Sequence, residues 1–225
     1  MGLILCLETA TKTCSVSLGL NGEELFTITE DSGNYSHAEK LNGFIQSLFD
    51  KTGYSLSDLD AVAISEGPGS YTGLRIGTST AKGFCFALDI PLIAIHSLKA
   101  LAALTSTESG TICPMFDARR MEVYSALFNR QLEEVEETKA VVIDAESYQN
   151  FLAHDKIVFV GPGAEKCLET LTHPNAKFDL ETLVSAKGMI AFAENKYQLK
   201  DFVDVAYFEP FYLKDFIAGA PKKLF

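Results

Sequence analysis

An apolar run at Ala61–Ser65 feeds directly into Glu66-Gly67-Pro68-Gly69-Ser70-Tyr71-Thr72-Gly73-Leu74-Arg75, after which a helical pattern begins. Glycines let a backbone turn tightly, and amides exposed at a helix N-terminus attract anions, so Gly67, Gly69 and Ser70 could receive a phosphate. The loop lacks the Gly-Lys-Ser/Thr of a Walker loop and the glycine spacing of a dinucleotide fingerprint. The residues alone therefore leave two readings open: an anion cradle, or a structural strand-to-helix turn. Asp117, Arg119 and Arg120 form a second candidate cluster at the start of a hairpin. They read either as an anion-binding or lobe-closing group, or as a hairpin edge dressed with charge. Gly161-Pro162-Gly163-Ala164 reads as a further strand-to-helix turn.

Other chemistries find little material. The histidines, His37, His96, His154 and His173, lie far apart in sequence, and none stands within four residues of another. A metal site needs several N, O or S ligands converging, so no metal is expected. His37, in the first turn of a helix, reads as exposed or partner-contacting. Cys6, Cys14, Cys85, Cys113 and Cys167 are odd in number, scattered and without a C-x-x-C pair, which suits buried small hydrophobes in a reducing compartment. No Gly-x-Ser-x-Gly elbow marks a hydrolase nucleophile.

These residues must be held by a chain of 225 residues, 47% of them hydrophobic, which is enough to bury a full core and to divide into two modest lobes. No apolar run approaches the ~20 residues needed to cross a bilayer, and the opening lacks a basic n-region, so a cytoplasmic protein with no membrane partner is expected. A net charge of −11 argues against a surface that grips phosphate backbones unaided. Lys222-Lys223 reads as a solvated tail.

The opening predicts a three-strand meander: Leu3–Glu8, Cys14–Leu20 and Glu24–Glu30, with an Asn21-Gly22 turn between the last two. Ser36 and Glu39 form a capping box for a helix whose Leu41, Phe44, Ile45, Leu48 and Phe49 recur at helical spacing until Gly53. A second helix, about Thr72–Leu88, carries small or apolar residues on nearly every side and is expected to be buried on more than one face. A strand at Leu92–Ile95 and a helix at Leu98–Leu104 follow. Polar residues at 105–110 mark a boundary between lobes 1–105 and 106–225. The second half restarts with strands at Ile112–Asp117, Glu122–Phe128 and Glu134–Ile143, then helices at Ala145–Ala153, Ala164–Leu171 and Ala186–Gln198, with a strand at Ile157–Val160. The fold class is α/β in two lobes, each a mixed β-sheet flanked by helices.

The segments ILCLETATKTCSVSL, GPGSYTGLRIG, PLIAIHSLKALA, DARRMEVYSALF and PFYLKD, in this order and over essentially the whole chain, resemble the TsaB (YeaZ) family. The resemblance implies an actin-like, sugar-kinase-like ATPase fold. It also implies a role as the non-catalytic paralogue and partner of TsaD, the subunit that transfers a threonylcarbamoyl group to adenosine 37 of tRNAs reading ANN codons, together with the small ATPase TsaE. tRNA would then be met only indirectly.

TsaD holds its metal with an H-x-x-x-H pair, residues that share one helix face. Matching its P-L-x-x-x-H-H-x-x-x-H pattern to Pro91–Leu101 puts Ser97 and Leu101 at the ligand positions, and His96 at the non-ligating neighbour, so no catalytic residue is assigned. The phosphate turn Asp-x-Gly-Thr of actin-like ATPases is here Glu8-Thr9-Ala10-Thr11. Loss of the glycine leaves Thr9 and Thr11 facing at most a weakly bound ATP or ADP, with a subunit junction as one place for it. The expected partner surface is the pair of early helices, through His37, Leu41 and Phe44 on the first and Leu74, Gly77, Thr78 and Gly83 on the second. A homodimer would use the same face when TsaD is absent, and bulk at Gly77 or Gly83 should weaken assembly without unfolding the lobe. The rival reading is a standalone hydrolase, glycoprotease-like enzyme or kinase-like ATPase using the cleft between lobes.

Overall fold

The computed structural model describes residues 2–31, 33 and 37–214. Strands β1 (Leu3–Glu8), β2 (Cys14–Leu20) and β3 (Glu23–Glu30) form the expected antiparallel meander, with Asn21 and Gly22 both at positive φ in its second turn. Two further strands, β4 (Ala61–Gly67) and β5 (Leu92–His96), lie parallel to β1, in the order β3-β2-β1-β4-β5.

Every residue of β1 is buried, so both faces of this sheet need cover. Alternation supplies it. Leu3, Leu5 and Leu7, with Val62 and Ile64 of β4, point to helices α1 (His37–Thr52) and α2 (Tyr71–Leu88). Ile4, Cys6, Ala61 and Ala63 point the other way, to α3 (Ser97–Ala102) and to residues 186–193. The α1 helix ends at Gly53 (φ 76), as its sequence requires. Ser36, half of the expected capping box, lies outside the described residues, as do Lys222 and Lys223.

The second sheet repeats this plan. Strands β6 (Thr111–Asp117), β7 (Glu122–Phe128) and β8 (Glu134–Val142) form a meander, and β9 (Ile157–Val160) and β10 (Ala176–Asp179) run parallel to β6, in the order β10-β9-β6-β7-β8. Two sheets with one topology give the two-lobed, actin-like and sugar-kinase-like arrangement. One face of the second sheet, through Ile112, Phe116, Ala126 and Phe128, packs on Leu74, Leu98, Leu101 and Ala102 of the first lobe, so a shared core joins the lobes.

Three expectations are corrected. Between Ala145 and Ala153 only Gln149–Leu152 (α4) is helical, because Asp144, Glu146 and Ser147 close a turn of their own and Tyr148 is left-handed. Ala164–Leu171 contains a 3-10 turn at Glu165–Cys167 in place of a helix. The second helix is buried on one side only: Gly73, Leu74, Gly77, Thr78, Ala81 and Cys85 face inward, while Phe86 is 86% exposed. The chain also returns: a 3-10 turn at Ala186–Met189 and α5 (Ile190–Leu199) pack against the first sheet, so that lobe is built from both ends of the sequence.

Candidate functional site

The glycine loop ends β4 and caps α2. Ser70 is the N-cap, its hydroxyl accepting from the Gly73 amide at 3.2 Å, and the cap is what starts the helix. Two further loop amides are also engaged. Gly67 donates to Ser97 Oγ (2.9 Å), and Ser70 donates to the Ala10 carbonyl (2.6 Å).

A β-carbon at Gly69 would lie 2.4 Å from the Ala10 carbonyl oxygen, and one at Gly73 would lie 2.1 Å from the Thr9 carbonyl oxygen. These glycines let the β1–β2 turn lie flat on the start of α2. Thr9 and Thr11 are buried there. Two of the loop's amides thus go to protein acceptors, and a third to its own cap. Of the two readings open from sequence, this geometry favours the structural turn.

Behind the turn sits a group whose importance lies in its burial. Glu8 is fully buried, and Oε1 accepts from the Ala10 amide (2.6 Å) and Ser65 Oγ (3.0 Å), while Oε2 has no hydrogen-bond partner among the described residues. Burial pushes its pKa up to about 7, against the lowering effect of those hydrogen bonds. The sequence signal was present: a lone carboxylate closes an otherwise apolar central strand.

His37, foreseen at the surface, is buried, with Nε2 2.8 Å from the Thr11 carbonyl oxygen, and burial lowers its pKa. It ties α1 to the β1–β2 turn. Leu41, Leu74, Gly77 and Thr78 are likewise inside, Phe44 is half-buried, and Gly83 is exposed. The burial of Gly77 has a direct cause: a β-carbon there would meet Thr9 Oγ1 at 2.2 Å. The expectation that bulk at Gly77 spares the lobe is therefore corrected, whereas Gly83 has open space above it. Besides Gly83, what the helix pair offers solvent is a different set: Asn42, Gly43, Gln46 and Ser47 of α1, and Ser79, Phe86 and Ala87 of α2.

Asp117 ends β6 and is bound into its own turn. Its carboxylate accepts from the Arg119 amide (2.9 Å) and pairs with Lys166, which also donates to the carbonyls of Arg120 and Glu122 (2.7 Å each). Arg119 and Arg120 occupy consecutive left-handed positions and are exposed. His96 joins the lobes: Nδ1 accepts from the Lys99 amide at the start of α3, and Nε2 lies 2.9 Å from Thr138 Oγ1 of β8. Burial and the nearby Lys99 hold its pKa down to about 4, so it is neutral and donates through Nε2. Among the described residues no cluster of three His, Cys, Asp or Glu could hold a metal, and no helix is long and apolar enough to cross a membrane.

Residues 32–219 match the family model for TsaD, tRNA N6-adenosine threonylcarbamoyltransferase. The tRNA threonylcarbamoyladenosine biosynthesis protein TsaB of Bacillus subtilis is 31% identical over 194 residues, 84% of this chain and 80% of that one. The protein of the same name from Haemophilus influenzae is 29% identical over 94% of this chain and 93% of its own length. Among solved structures, YeaZ from Pseudomonas aeruginosa superposes with a TM-score of 0.79 at 28% identity, covering 95% of this chain and all of that one. The repeated five-stranded sheets, the glycine loop seated on the β1–β2 turn and these likenesses agree: the chain belongs to the TsaB (YeaZ) family.

Proposed function

We propose that within tRNA threonylcarbamoyladenosine biosynthesis this chain is a non-catalytic subunit that binds and activates a TsaD-type transferase, with a TsaE-type ATPase as third component. The observation that carries the reading is the outer face of the α1–α2 pair. Gly43 and Ser47 on α1, and Ser79 and Gly83 on α2, are small residues one turn apart, and Phe86 stands 86% exposed beside them. Small residues let helices from another chain approach closely, and an exposed phenylalanine at the end of such a face supplies the anchor.

The same face supports a homodimer when the transferase is missing. The chain itself brings no catalytic group, and tRNA is held by the partner, in keeping with the net charge of −11. Nucleotide binding by the isolated chain is weak, since the Ser70 amide is taken by Ala10 and the Gly73 amide by the Ser70 cap.

The test is reconstitution of threonylcarbamoyladenosine on tRNA from ATP, bicarbonate and threonine, with TsaD, TsaE and the carbamoyl-adenylate synthase, read by mass spectrometry of nucleosides. Product should form only when the chain is present, and none should form when it replaces TsaD. Equal product without it would sink the reading, and product when it stands in for TsaD would make it an enzyme.

A further inference from the structure

After α5 the chain runs back along the first lobe. The Val203 amide donates to the Leu92 carbonyl (3.0 Å), adding an antiparallel bridge at the open edge of β5, and Lys82 Nζ reaches the Ala206 carbonyl (3.1 Å). The segment then crosses to the second lobe over the glycine loop. The Phe211 amide donates to the Glu66 carbonyl at 2.7 Å, and the Tyr212 ring lies 4.8 Å from that of Tyr71. Tyr212 packs against the core shared by the lobes, and Lys214 pairs with Glu122 of β7.

Gly67 is fitted to this crossing. It sits at φ +114, and a β-carbon there would lie 2.5 Å from the Phe211 carbonyl oxygen. The Phe211 ring stands 6.4 Å from His96, the residue that already links α3 to β8. Yet no residue from 201 to 214 is fully buried, so this segment has less apolar cover than either sheet and should open before they do.

We propose that residues 209–214 form a latch between the lobes. Closed, it holds the second lobe against the glycine loop; released, it lets the lobes shift about what still joins them: the shared core, the His96–Thr138 contact and the connections at 103–110 and 180–185. Its contacts include one backbone hydrogen bond, two ring pairs, the edge packing of Tyr212 and one exposed ion pair, each weak enough to break without unfolding a sheet.

The test places spin labels on Gln46→Cys in the first lobe and Glu169→Cys in the second, both exposed positions, in a chain whose native cysteines are all buried. Tyr212→Ala should broaden the inter-lobe distance distribution and speed amide exchange over residues 66–74 about tenfold, leaving the β1 and β6 amides unchanged. Tyr212→Phe, which keeps the ring, should behave as the parent chain. An unchanged distribution and unchanged exchange in Tyr212→Ala would overturn the latch. So would exchange that rises equally in both sheets, because the segment would then be an integral part of the core.

Discussion

A β-carbon placed on Gly77 would lie 2.2 Å from Thr9 Oγ1 and 2.9 Å from Ile64 Cδ1, so the middle of α2 rests directly on the β1–β2 turn. Six residues further along, Gly83 meets nothing within 4 Å. Gly77→Ala should therefore destabilise the chain by about 1–3 kcal/mol, the usual cost of overfilling a packed contact. Gly83→Ala should stabilise it by up to ~1 kcal/mol, because alanine is the better helix former. Urea unfolding of the two variants checks the contrast, and equal shifts would mean that the two helix faces are not distinct.

Glu8 makes stability depend on pH. Its folded pKa, about 7, is raised above its ordinary 4.5 by burial, so the folded state holds a proton that the unfolded chain releases more readily. The contribution is full below about pH 4.5 and is lost as pH rises through about 7, at up to ~1.4 kcal/mol per pH unit within that window. In Glu8→Gln the amide carbonyl can keep the Ala10 and Ser65 hydrogen bonds, and the decline between pH 5 and 7 should flatten. Urea midpoints measured from pH 5 to 8 read this directly, and parallel curves for parent and variant would refute it.

Phe86 tests the proposed subunit contact without touching the core. Phe86→Ala should leave thermal unfolding within about ±0.5 kcal/mol of the parent, as surface changes do, and should weaken association with a TsaD protein by about 2 kcal/mol, roughly 30-fold in Kd. Calorimetric titration measures it. Undiminished affinity would move the interface elsewhere.

All five cysteines are buried, and burial pushes Cys6 up to about 12 and Cys14 and Cys85 up to about 11. Alkylation by iodoacetamide at pH 7.5 should thus add almost nothing to the folded chain and five groups to the unfolded one, as counted by intact mass. Rapid modification of the native protein at any one site would show local opening there.

The first lobe is legible because its signals are strong and local: β1 is apolar up to Glu8, β4 opens on the apolar run Ala61–Ile64, Asn21-Gly22 marks the hairpin, and Gly53 stops α1. Glycine-loop chemistry is ambiguous in sequence because the same residue types serve a phosphate or a close backbone approach, and the position of the Ala10 carbonyl favours the second. The burial of Leu41, Leu74 and Gly77 is not legible because periodicity shows that a helix has an apolar face without showing which sheet lies under it. The strand Ala176–Asp179 is not legible because four residues at a sheet edge carry too little pattern. The return of α5 to the first sheet is a long-range contact that no local pattern encodes.

That return governs the order in which the molecule can be made. The second sheet comes from one continuous stretch, 111–179, whereas the first has only α3 over Ile4, Cys6, Ala61 and Ala63 until residues 186–193 have been synthesised. On a ribosome the lobe that starts first finishes last. The half-covered opening sheet waits, that apolar face still partly bare, through the translation of the whole second lobe, and this interval is when the nascent chain most needs a chaperone.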